Sequence, residues 1–170
     1  MSKKGFKGFK DAIVRLEGVM TDPKYVGQAG EFVLAAAKLK CSGFKVSSGE
    51  LRNSLDCVVR NHLGGLYAHV GTMKEYAAYV EFGTGPVGAA HHSGVSPDVT
   101  IAYTMRPWWI HESLISPEVP KVYGWSYIET DKGRFYRCSG QPAHPYLYPA
   151  FRDNQKEIED ILAHGFEEVL

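Results

Sequence analysis

Three groups of residues have types and spacing that could do chemistry. Gly83-Thr84-Gly85-Pro86-Val87-Gly88 fits the G-x-G-x-x-G pattern. That pattern holds a pyrophosphate when it lies between a strand and a helix N-terminus, where free amides face the anion. Here residues 76–82 have helical spacing and residues 89–97 read as loop, so a helix stop and a turn are expected instead of a nucleotide site. His91 and His92 are adjacent, and His111-Glu112 is followed by Ile115 where a zinc-binding helix needs its second histidine. A set gathered by the fold from Glu81, His91, His92, Asp98, His111 and His144 would suit a metal-dependent hydrolase or nuclease. Surface or hydrogen-bonded histidines are the commoner outcome. No G-x-S-x-G elbow or Walker loop occurs, and no cysteine has a histidine beside it. The expectation is a non-enzyme with no catalytic, cofactor-binding or metal-ligating residue, with the hydrolase or nuclease and a generic protein-binding module as the alternatives.

The composition agrees with an ordinary globular chain. It has 170 residues, 44% hydrophobic and 22% charged, enough for one core without metal or disulfide staples. No apolar run reaches membrane-spanning length, and the lysines near the start are followed by Asp11, Arg15 and Glu17, not by a signal-peptide core. Assembly in a cytosol is expected. Cys41, Cys57 and Cys138 are far apart and expected to be reduced. The net charge of zero covers a gradient. Residues 1–60 carry 11 basic and 6 acidic side chains (+5), and residues 141–170 carry 2 and 6 (−4). Opposite ends favour head-to-tail contact between copies, or are two solvated helix faces that differ. Lys3, Lys4, Lys7 and Lys10 read as a solvated face, because the rest of the chain is balanced in charge, unlike that of a nucleic-acid binder.

The elements that must position these residues follow from period and punctuation. Phe6, Phe9, Ile13, Leu16 and Met20 predict a first helix; Asp22 as cap and Pro23 at the first position predict a second over 23–40. Its buried face is expected to be Val26, Ala29, Phe32, Val33 and Ala36. Ser47-Ser48-Gly49-Glu50 has capping-box spacing and predicts a short helix to about residue 55. Residues 57–60 and 66–70 predict one hairpin, and residues 127–129 and 134–138, around Thr130-Asp131-Lys132-Gly133, a second. Four strands in one sheet are expected. A last helix is predicted from residue 146 on, striped by Phe151, Ile158, Ile161, Leu162 and Val169. The fold class is α+β: a small antiparallel sheet of about four strands packed with long N-terminal and C-terminal helices. It is read as one domain, with a helical region at 1–42, a core of 43–85 and 127–170, and a long irregular excursion at 86–126. The excursion is the source of Trp108, Trp109, Tyr123 and Trp125, too much aromatic area to leave in water cheaply. Some of these rings are expected in a satellite core and others against a neighbour.

Four blocks in order carry a resemblance: Ser48-Gly49-Glu50-Leu51-Arg52-Asn53-Ser54-Leu55, Val70-Gly71-Thr72, Tyr76-Ala77-Ala78-Tyr79-Val80-Glu81-Phe82-Gly83-Thr84-Gly85, and Gln141-Pro142-Ala143-His144-Pro145-Tyr146-Leu147-Tyr148-Pro149-Ala150-Phe151. Over about residues 45–168 the chain resembles the head-tail joining, or tail-completion, family of long-tailed double-stranded-DNA phages. Trp108-Trp109-Ile110-His111-Glu112 is similar to a longer loop in members from phages and prophages of Gram-positive bacteria. The resemblance implies a structural virion protein at the head-tail junction, homo-oligomeric as a ring of six copies. Its implied partners are other neck and tail proteins, with DNA passing the lumen unread. It brings no catalytic residues and no cofactor. The motif residues it marks are Leu51, Arg52, Ser54, Tyr76, Ala77, Glu81, Gly83, Thr84, Gly85 and Pro145.

Glu81 falls in the last turn of its helix, where the dipole disfavours a negative charge. A donor is therefore predicted for it: Arg52 or the amides of the following turn.

Overall fold

The computed structural model describes residues 14–18, 23–43, 49–63 and 65–167. It is α+β, with two three-stranded antiparallel sheets. In the first, β1 (Val14–Gly18) and β2 (Asp56–His62) flank β3 (Gly65–Gly71), in registers that pair Val14 and Cys57 with Val70. The long helix α1 (Pro23–Cys41) crosses this sheet. Val26, Ala29, Val33 and Ala37 recur at three- and four-residue steps and are fully buried, as are Ala68 and Val70 of β3. A Cβ on Gly30 would stand 2.5 Å from Cys57 Sγ and 2.7 Å from Ala68 Cβ, so a bare backbone here sets how closely helix and sheet approach.

Several expectations are corrected. Helix was expected through Val14–Gly18, which forms β1. Val14-Arg15-Leu16-Glu17-Gly18 alternates apolar and charged, five residues are too few to separate the two periods, and the edge of β3 supplies partners. Phe6, Phe9, Ile13, Met20 and the Asp22 cap lie outside the described residues, as do Ser47, Ser48 and Val169. Phe32 is on the exposed side of α1, and Tyr25, Leu34 and Cys41 join the buried stripe. The short helix α2 (Glu50–Ser54) starts after Gly49 at φ 76°.

After β3 come α3 (Ala77–Phe82) and α4 (Gly85–Ala90). Residues 91–107 are irregular. The rest of the excursion is not: β4 (Trp108–His111), a 3-10 turn (Glu112–Leu114) and α5 (Glu118–Tyr123) lead into the hairpin β5 (Tyr127–Thr130) and β6 (Gly133–Cys138). β4 pairs with β6, so the four expected strands become six in two sheets, each completed by a strand of only four or five residues. The final helix is broken into α6 (Leu147–Arg152) and α7 (Gln155–Glu167). The break is held by Asp153 N donating to Pro149 O and Asn154 Nδ2 to Ala150 O. Both helices pack on α1 through Leu147, Ala150 and Ile158. Among the described residues no helix is long and apolar enough to cross a membrane.

Candidate functional site

The buried face of α3 is Ala77, Ala78, Glu81 and Phe82. Two alanines bring this helix close to its neighbours and place a carboxylate in the interior, where Glu81 is 2% exposed. Glu81 Oε2 accepts hydrogen bonds from the amides of Tyr146 (2.7 Å) and Leu147 (3.0 Å), and Oε1 from that of Tyr148 (3.0 Å). These are amides that the start of a helix leaves without intrahelical acceptors. The charge disfavoured at the end of α3 is thus placed at the positive end of α6. The predicted need for a partner is met by distant backbone: the donors are the amides of residues 146–148, not Arg52 or the turn after α3. Burial pushes the Glu81 carboxyl above its ordinary value of 4.5, with the three amide bonds pulling the other way.

The next residues are held as tightly. Thr84 and Gln141 form an antiparallel bridge, Thr84 N donating to Gln141 O (3.0 Å) and Gln141 N to Thr84 O (3.2 Å). Gln141 Nε2 donates to Tyr79 O (2.8 Å), His144 N to Val80 O (2.8 Å), and Tyr103 Oη to Phe82 O (2.8 Å). The carbonyls at the end of α3 are thereby used by the 141–144 strip and by the excursion. Gly83 has φ 72°, and a Cβ there would meet Ala143 N at 2.7 Å and Gln141 O at 2.8 Å. Gly85 has φ 62°, with Ser139 O 2.6 Å from its would-be Cβ. Both need glycine for backbone sign and for space.

This geometry also disposes of the nucleotide pattern for a reason sequence did not provide. A short helix does follow the glycines, where loop was expected. Its opening amides are spent, however: Val87 N donates to Ser139 O (3.1 Å), Gly88 N to Thr84 O (2.8 Å), and Pro86 has none. Nor does the fold assemble the acid and histidine set. Glu81 is enclosed by amides, His111 contacts Lys132 O and Ser113 Oγ, and His92 Nδ1 contacts Ala89 O. Among the described residues no three histidine, cysteine or acidic side chains are grouped for a metal ion.

The excursion folds back over α3 and leaves an open cleft of about 630 Å³. Its walls carry the rings of Tyr76, Tyr79, Tyr103, Trp108 and Trp125, and its floor is the backbone of the glycine segment with Gly140 and Gln141. Tyr123 stacks on Trp125 with centroids 6.0 Å apart. Of the four excursion rings, Trp108 and Trp125 line this cleft, while Trp109 is 48% exposed. The other motif residues serve nearby packing. Leu51 and Ala77 are core, Ser54 Oγ is 2.8 Å from Thr72 Oγ1, and Pro145 lies beside Gly94. Arg52 is exposed. Gln141, Tyr103 and Tyr79 were not singled out from sequence as cleft or anchoring residues; the Gln-Pro-Ala-His-Pro block was the one signal pointing to the first.

Comparison with family models gives a match over residues 9–83 to the family described as "Bacteriophage HK97-gp10, putative tail-component". Over that stretch, a little under half of its length, the chain is similar to the HK97-gp10-like family of phage tail components. The match takes in the first sheet, α1, α2 and α3, and ends at Gly83. It therefore extends further towards the N-terminus than the motif blocks do. The second sheet and the 141–151 block lie beyond it. No curated protein and no solved structure matches the chain.

Proposed function

We propose that this chain is a phage tail component that joins the DNA-filled head to the tail, or completes the tail, as a structural, non-enzymatic subunit of a ring at the neck of a long-tailed phage. The family match over residues 9–83 carries the reading, and the ordered motif blocks sharpen it from tail component to head-tail joining. The geometry of the Tyr76 to Gly85 segment supports a structural role, because its carboxylate, amides and carbonyls are engaged inside the fold. Six copies would form the ring, assembled in the host cytoplasm against other neck and tail proteins. A net charge of zero suits a lumen through which DNA passes without sequence readout. The test is genetic: a nonsense mutation in the gene is expected to give filled heads and separate tails by electron microscopy. Intact, infectious particles from the mutant would overturn the reading.

A further inference from the structure

The second sheet has two unlike faces. Strand alternation turns Trp108 and Ile110 into the cleft and leaves Trp109, between them, on the outer side. Residues paired across antiparallel strands share a face. Trp109 opposite Arg137, and Ile128 and His111 opposite Phe135, therefore make up that outer face. Trp109 is 48% and Ile128 47% exposed. On the inner side is the open aromatic cleft of about 630 Å³, within the roughly 300–1,000 Å³ of sites that enclose a compact apolar group. One small sheet thus carries a protruding indole on one side and an aromatic recess on the other.

We propose that Trp109 of one copy seats in the aromatic cleft of the next copy, with Ile128, on the same face at the opposite edge of the sheet, packing at the rim. This rests on the ring reading above and names the two patches that would meet. Knob and socket lie on opposite faces of the same sheet, so a pair of copies still has one of each unfilled, and the contact repeats until a ring closes. Indole against tyrosine and tryptophan walls allows edge-to-face and offset packing. The half-exposed Trp109 and Ile128 would hide on the order of 200 Å², against roughly 800 Å² per partner in a standard stable complex. A single contact is therefore weak, whereas closure gives every copy two.

Sedimentation velocity across concentration, up to roughly millimolar chain, tests this with two variants. Trp109→Ala removes the knob; Ala102→Trp fills the socket from an exposed position on its wall. Circular dichroism first establishes that both are folded. The wild type is expected to associate progressively, and each variant alone to lose at least about tenfold in association constant, roughly 1.4 kcal/mol. An equimolar mixture should form a heterodimer and stop there, since one working knob and one working socket remain. Variants that associate like wild type, a mixture that recovers nothing, or a wild type that stays monomeric throughout would each overturn the contact. A nonsense mutant that still gives separate heads and tails would then keep the joining role without it; normal particles from that mutant would remove the joining role itself.

Discussion

The two sheets are equal in strand number and opposite in how they are held. The first lies under α1, whose Val26, Ala29, Val33 and Ala37 are wholly buried against it. The second has no helix across it; all four residues of β5 are exposed, and none of residues 108–138 belongs to the core cluster among the described residues. It is held by strand pairing, by ring contacts such as Tyr127 on Tyr136 and Arg134 on Tyr127, and by its seam with α3 and α4. Area removed from water drives the first; pairing and aromatic contact carry the second. A region built in the second way is the one expected to open first and to gain most from a neighbour.

The seam between the regions gives the largest expected effect. Glu81→Ala would leave three amides at the start of α6 without their acceptor and should lower stability by about 3 kcal/mol or more in urea unfolding. Gly83→Ala follows, at roughly 2 kcal/mol, because the new Cβ would meet backbone at 2.7 and 2.8 Å at a positive φ. Trp108→Ala should cost about 1 kcal/mol, less than the ~3–5 kcal/mol of a fully buried tryptophan, because this ring is only partly buried and lines an open cleft. Hydrogen exchange should show it accelerating β4, β5 and β6 amides while β2 and β3 keep their protection; equal acceleration in both sheets would erase the distinction between them.

A pH series probes the seam more finely. Burial raises the Glu81 carboxyl in the folded chain, so its contribution is fully present below 4.5 and is lost as pH rises through the folded value. The stability advantage of wild type over Glu81→Gln should accordingly shrink as pH is raised from below 4.5. The smallest effect concerns the thiols. Burial pushes Cys41 up to about 12 and Cys57 up to about 11. Iodoacetamide at neutral pH should label Cys57 about 100-fold more slowly than a free cysteine, and Cys41 more slowly still. Cys138, buried at the end of the second sheet, should react before Cys41; the reverse order would mean that the second sheet is the more rigid.

The elements most legible in sequence were those whose local signals agree. The 56–62 and 65–71 hairpin and the 127–138 hairpin are short runs around turn residues, and α1 has a helical period opened by Pro23. The third strand of each sheet was hidden, because Val14–Gly18 is short and Trp108–His111 has no alternation of polarity; each is specified by the edge that it pairs with. The need for a donor at Glu81 could be read from its place in the helix, but the donor could not, because it lies 65 residues away and is backbone. The cleft was invisible for a similar reason: its rings are spread from Tyr76 to Trp125 and meet only through tertiary folding.

The bridge between Thr84 and Gln141 means that the chain leaves and re-enters the first core at a single point. In polymer terms, everything between is a loop whose ends are already closed, and the entropy of closure grows only as the logarithm of loop length, about 0.6 kcal/mol per doubling. Lengthening or trimming that segment's exposed turns therefore changes the cost of the first core little, provided that Val95, Val99 and Ile101, which pack against that core, and Tyr103 on Phe82 O are kept. The β5–β6 hairpin, whose β5 is exposed throughout, is the part of the segment that can change with least effect on the first core.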